Sequence, residues 1–316
     1  MRLLTRLSGL MVHVAIRLLG GVVLLATITF FFVQALPGDP VARILGGNAA
    51  PEDAALLRET LGLDQPLHLR YFEYLQSVLL FDFGNSFTGA SVWSVLGSRV
   101  GHTSMLAVST IVVVALGAVV LGLIFGALGR DGRRPVASAG FTGATGFVAA
   151  IPPYVLAMAL VAAFAVSLRW FPVAGASGPA SYVLPVIALS LPAIAVLSRI
   201  VRVETLGALA SDHVRTARSK GVSTLRLYLR HVLPSTLTGA LTIGGVVFGY
   251  LLGGVAVIEN VFQWPGLGTA IVNAVTSRDY PVLQAAVILI GVGVLLVNAL
   301  VDILIAVIDP RGLEQR

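Results

Sequence analysis

Few side chains in this sequence are equipped for chemistry. There is no cysteine, a single lysine (Lys220), and five histidines (His13, His68, His102, His213, His231) that never pair at metal-ligand spacing. Thiolate nucleophiles, thiolate metal sites and disulfides are therefore excluded, and a histidine metal centre has no pair to start from. A nucleotide-binding loop needs Gly, four residues, then Gly-Lys and a Ser or Thr, so that backbone amides and an amine hold the phosphates. Lys220 is preceded by Ser219 and followed by Gly221, so no such loop exists. What remains is one block of concentrated charge, residues 212–234, DHVRTARSKGVSTLRLYLRHVLP. Locally it reads as two helices broken at a glycine. Asp212 is placed to cap the first, and Gly221 to end it in the left-handed conformation. Ser223 or Thr224 can cap a second, along which Leu225, Tyr228, Leu229, Val232 and Leu233 recur at helical spacing before Pro234. A two-turn helix of small residues and arginines is marginal alone, because nucleation costs more than so few bonds return. The pattern therefore predicts a docking element held by something larger.

The elements around that block belong to a membrane. Of the 316 residues, 57% are apolar and 11% charged, where a soluble domain carries about 25% charged residues; the mean hydropathy is +0.93. Crossing a bilayer takes about 20 apolar residues. Residues 18–36, 103–129, 135–168, 182–198, 236–258 and 280–301 supply six such runs, the last continuing past Asp302 to Ile308. The first begins too late and runs too long for a cleaved signal peptide. The third contains Pro152 and Pro153, which predicts one helix kinked or started late. Residues 260–277 are uncharged but carry Pro265, Gly266, Gly268 and two asparagines, so a re-entrant or outer-surface half-helix fits better than a seventh span. The fold class is accordingly all-α, a polytopic membrane protein forming one domain over 1–316.

Charge fixes the expected orientation. Fifteen of the 21 Lys and Arg residues fall on the N-terminus (1–17), the loop near Arg130, the loop 199–235 and the tail 309–316; six fall on the alternate loops. By the positive-inside rule the first set is cytoplasmic, with both ends inside. The basic excess is thus an orientation signal and predicts no nucleic-acid partner. Residues 37–102 form a long extracytoplasmic loop between the first two spans, with seven acids, among them Asp39, Asp64, Glu73 and Asp82, against four arginines. Its 51–61 stretch reads as an exposed helix and 68–80 as an amphipathic one. Polar groups inside membranes are costly, so Glu259 and Asn260, which end the fifth span, are candidate translocation-pathway residues; Glu259 would line the outer mouth or simply be hydrated near the interface. The fifth-span glycines Gly244, Gly245, Gly249, Gly253 and Gly254 would let helices approach closely.

Several stretches resemble one family. VRTARSKG resembles the EAA loop of ABC importer permeases, with Gly221 at the motif glycine, Ala217 at its second alanine, Thr216 at the first and Arg215 in place of the glutamate. LPGDP, LGLDQPLHLRYFEYL and FDFGNSF in the outer loop, VIENVFQWPGLG with SRDYPVLQ, and NALVDILIAVIDPR at the C-terminal end resemble the peptide and nickel permease family in order and spacing, specifically its first (dipeptide or oligopeptide permease B type) subunit. The resemblance implies the six-helix type I importer permease fold, in a bacterial plasma (inner) membrane. It implies that the short helix, with Asp212, Arg215, Thr216, Ala217, Arg218, Lys220 and Gly221, sits in a groove of a cytoplasmic ATPase subunit. It further implies a second, homologous permease, an extracytoplasmic substrate-binding protein docking on the outer loop, and lipid around the helices. ATP and Mg would be held by the ATPase partners, with no cofactor in this chain. Peptides are the expected cargo; nickel complexes, glutathione or haem are the alternatives within the family. An ion-coupled secondary transporter is the alternative from another class, but it would carry midplane carboxylates and an inverted repeat, and neither is evident.

Overall fold

The structure is a computed structural model that describes residues 2–35, 41, 45, 50–60, 62–130 and 134–308. Asp39, the LPGDP stretch around it and the tail from 309 lie outside the described residues. Among the described residues regular structure is entirely helical, apart from one isolated antiparallel bridge between Asn85 and Ser91. In chain order the α-helices are α1 (Arg2–Ala35), α2 (Pro51–Thr60), α3 (Leu67–Leu79), α4 (Val92–Gly129), α5 (Pro135–Ala150) and α6 (Pro153–Leu160). They continue as α7 (Val183–Ala210), α8 (Asp212–Ser219), α9 (Thr224–Leu227), α10 (Leu233–Val261), α11 (Leu267–Ser277) and α12 (Tyr280–Ile308).

Among the described residues five segments are long and apolar enough to cross a membrane: Met11–Ala35, Val92–Gly129, Pro179–Ala210, Thr224–Leu251 and Tyr280–Val307. The run 135–168, expected as a single span, is instead a sharply bent pair of helices. α5 and the pair of α6 with its π-helical extension to Ser167 meet at 91°. The cause is local: Pro152 and Pro153 lack amide hydrogens, and the residue before a proline is pushed out of the helical region. Ile151 is accordingly extended, with φ −79° and ψ 120°, and Pro153 starts α6 at the position proline favours. The run 135–168 is therefore bent far more sharply than a kinked helix. The half-helix expected in 260–277 is α11, at 11 residues too short to span.

Packing divides the chain into two compact units, Met1–Ser104 with Pro265–Leu295, and Met105–Trp264 with Leu296–Arg316. In the first unit, Val33, Val92, Leu96, Leu267, Ala270 and Leu283 form one core, and Ala26, Val78 and Ile288 a second that seats the amphipathic α3. Asp279, buried at the α11–α12 junction, accepts hydrogen bonds from the Ser86 hydroxyl and, at 3.5 Å, from the amide of Phe87, so it fastens the 84–91 turn.

In the second unit α7 lies against α10 through Leu189, Ala193 and Leu197 on one side and Phe248, Leu251 and Val255 on the other. α4 packs on α7 through three glycines, Gly117 against the end of the Ile194 side chain and Gly122 and Gly126 more tightly. A Cβ on Gly122 would collide with Val201 and stand 2.9 Å from the Ser198 carbonyl, and one on Gly126 would stand 2.6 Å from the Thr205 methyl. The close approaches expected of the fifth-span glycines are weaker. A Cβ on Gly245 would meet Val301 at 3.3 Å, whereas one on Gly253 would meet nothing within 4 Å. Small residues tighten helix contacts only on the face that meets a neighbour; in this unit such faces lie on α4 and, at Gly239 against Glu204, on the first turns of α10.

Candidate functional site

The charged block folds as a short lever between two spanning helices. α7 ends at Ala210 because Ser211 turns extended (ψ 150°), its hydroxyl donating to the Ala208 carbonyl at 2.5 Å. Ser211, and not Asp212 as the sequence suggested, therefore occupies the N-cap position, with no side-chain hydrogen bond capping the helix. Serine adopts the non-helical cap geometry as readily as aspartate. Asp212 is the first helical residue, where its carboxylate complements the helix dipole. It also approaches Arg215 at 3.6 Å, with both side chains almost fully in solvent, so the pair contributes little.

α8 has two unlike faces. Val214 (0% exposed) and Ala217 are buried three residues apart in a cluster with Ala208, Leu209, Leu227 and Val232. Asp212, His213, Arg215, Thr216, Ser219 and Lys220 face outward, and Arg218 is half-buried. Ala217 thus points into its own chain; it seats the helix, and the outward contacts are left to its neighbours. Burying Val214 is worth about 1.5–3 kcal/mol, enough to hold eight residues that would not form a helix in water. The end is a double hydrogen-bonded stop: Gly221 N–H donates to the Arg218 carbonyl at 3.0 Å and Val222 N–H to that of Ala217 at 3.4 Å. Gly221 sits at φ +75° as that stop requires.

The second helix does not end near Pro234. Ser223 is its N-cap residue; α9 passes into a π-helical turn, Tyr228–Val232, and then directly into α10. Pro234 has no N–H to offer the carbonyl one turn back, and a widened turn accommodates it. The lever is therefore continuous with the fifth span on one side and one residue from the fourth on the other.

On the first unit, Asp64, Glu73 and Asp82 are all exposed. Glu73 lines a cavity of about 350 Å³ with Arg70, Tyr74, Phe87 and Gln284. Asp82 lines a neighbouring one of about 240 Å³ that shares Tyr74, Ser77, Pro281 and Gln284. Glu73 and Asp82 thus rim a concave surface built from α3 and the start of α12, whereas Asp64 lines neither cavity. The Tyr74 hydroxyl is buried there without a hydrogen-bond partner, and that burial raises its pKa above the ordinary phenol value.

Residues 118–312 match the family described as "Binding-protein-dependent transport system inner membrane component", and residues 10–116 match "Binding-prot-dependent transport system membrane comp, N-term". The chain belongs to the binding-protein-dependent transport permeases. It is thus a multi-pass membrane subunit of an ABC importer. Similar proteins include the glutathione transport system permease protein GsiC of Salmonella typhimurium (strain LT2), 38% identical over 302 residues that cover 94% of this chain and 97% of that protein. GsiC of Escherichia coli (strain K12) is 36% identical over 288 residues, 91% and 93% of the two chains.

The two polar residues singled out in the permease's fifth span separate. Glu259 is fully buried within this chain (0% exposed), its carbonyl accepting from the Trp264 amide at 2.7 Å. Asn260 stays partly exposed and donates to the Ala256 carbonyl at 2.9 Å. Sequence reasoning passed over a larger feature. At the break between α5 and α6 the permease has an apolar hollow of about 630 Å³, bounded by Ile151, Pro152, Pro192, Val246, Tyr250 and Gly254. Prolines and glycines inside apolar runs were the available signal, since broken helices line transport cavities.

Proposed function

We propose that this chain forms half of the translocation pathway of an ATP-driven importer of small peptides, with glutathione, itself a tripeptide, the first cargo to test. The observation that carries the reading is the near full-length similarity to glutathione permeases together with the outward-charged lever Asp212–Ser219. Residues 1–316 act as one permease domain with both ends in the cytoplasm, and a second, homologous permease supplies the other half. ATPase subunits bind ATP and Mg and grip α8 through Arg215, Thr216 and Lys220; Asp212 and Arg218 shape the same face. Their closure moves α8, and because α8 is joined to α7 and α10, the most extensively packed pair of helices in the second unit, that movement reaches the hollow at Tyr250. An extracytoplasmic binding protein loads cargo at the acidic rim of Glu73 and Asp82, with Asp39 and Asp64 in the same loop. Coupling is reciprocal, so a loaded binding protein raises hydrolysis inside.

The test is reconstitution of the complete complex in vesicles. Labelled glutathione and dipeptides should enter only with ATP and the cognate binding protein present. Uptake driven by a proton gradient without ATP would refute the reading in favour of ion coupling; ATP-driven uptake of nickel or haem but of no peptide would refute the cargo.

A further inference from the structure

One basic cluster lies outside the lever and the outer rim. At the junction of α4 and α5 a cavity of about 590 Å³ is lined by Gly129, Arg134, Pro135, Ser138, Ala139, Thr142 and Gly143. Arg202 of α7 stands behind its wall. Its guanidinium donates to the hydroxyl of Ser138 and, at 3.3 Å, to that of Thr142, and it lies 5.6 Å from the centre of the Phe141 ring. The Arg202 Nε is buried and has no acceptor. Among the described residues neither Arg134 nor Arg202 is paired with a carboxylate. Glu204, two residues along α7, is turned against Gly239 of α10 instead. A half-buried guanidinium held only by neutral hydroxyls and a ring is electrostatically incomplete, since a buried charge is costly until it is paired.

The surroundings say which anion completes it. The cavity lies where α4 ends and α5 begins, at one boundary of two membrane-crossing segments. Along α5 beside it, Val136 and Phe147 are 84% and 73% exposed, an apolar surface suited to acyl chains. A soluble anion would use the arginines and leave that surface bare. We propose that this cavity binds the headgroup phosphate of an anionic phospholipid, with Arg134 as its direct cationic partner, Arg202 adding its charge from behind Ser138 and Thr142, and the lipid chains along α5. Basic pockets between spanning helices are suited to such headgroups. The site is independent of what the permease transports and of how its lever docks.

The experiment places the full-length permease in nanodiscs of phosphatidylcholine doped with phosphatidylglycerol and measures the ratio of the two lipids retained after detergent extraction. Retention of phosphatidylglycerol should fall about fivefold for each arginine removed in Arg134→Gln and Arg202→Gln. Arg202→Lys, which keeps the charge, should retain most of the preference. Arg134 is exposed, so its variant reports on binding even if Arg202→Gln impairs folding. An unchanged ratio in Arg134→Gln and in the double variant would overturn the proposal. So would displacement of the retained phosphatidylglycerol by inorganic phosphate, which would make the site one for a soluble anion.

Discussion

Replacing Gly221 isolates what the lever contributes. Its φ is +75°, and a Cβ built there meets nothing within 4 Å. Any penalty is therefore conformational, with no steric part: about 1–2 kcal/mol for an ordinary residue held in the left-handed region. The stop it completes closes an eight-residue helix seated by two buried side chains, Val214 and Ala217. A loss of 1–2 kcal/mol lowers the docked population roughly 5–30-fold, while the spanning helices keep their own packing. Gly221→Asn, Gly221→Ala and Gly221→Val should then form a graded series, because asparagine tolerates the left-handed region and β-branched residues tolerate it least. The assay is co-purification of the ATPase subunits with the solubilised permease, alongside ATP-dependent uptake and the amount of permease in the membrane. Co-purification and uptake should fall together along the series with the amount unchanged. Equal assembly and transport across all three variants would refute the reasoning, and so would a valine variant that fails only by leaving the membrane.

Other perturbations follow from the same contacts. Val214→Ala should cost about 2 kcal/mol of lever stability, seen as faster proteolysis around residues 211–223 with little change in the unfolding temperature of the whole chain. Gly122→Ala forces a methyl against Val201 and the Ser198 carbonyl; it should destabilise the solubilised protein by about 1–3 kcal/mol, whereas Gly253→Ala, with open space beside it, should be near neutral. Asp279→Ala removes the acceptor that holds Ser86 and Phe87; amide exchange should quicken at residues 84–91 and stay unchanged at residues 212–222.

Much of the fold was legible because the bilayer imposes a length. Uncharged runs marked the long apolar helices, and Pro152 with Pro153 marked the break between α5 and α6. The 91° of that break was not legible, since a proline pair marks where a helix stops and not the angle at which the next one leaves. The left-handed stop at Gly221 could be read from one residue, because few others occupy that conformation. Ser211 and Asp212 are equally good caps, so the choice between them fell to where α7 ends. The turn at Tyr228–Val232 hid the continuity of the lever with α10, because Pro234 in sequence looks like a terminator. Ala217 and Glu259 show a common difficulty: a motif position or an intramembrane carboxylate signals importance, and only packing tells whether it faces a partner or the interior.

The permease has no cysteine, so one introduced at the exposed Thr216 is a unique chemical handle on the lever. In intact cells that thiol should resist a membrane-impermeant reagent added outside, and in isolated complexes a short bifunctional cross-linker should join it to an ATPase subunit. Labelling from the outer side, or adducts with lipid alone, would contradict the claim that this helix is where ATP hydrolysis takes hold of the permease.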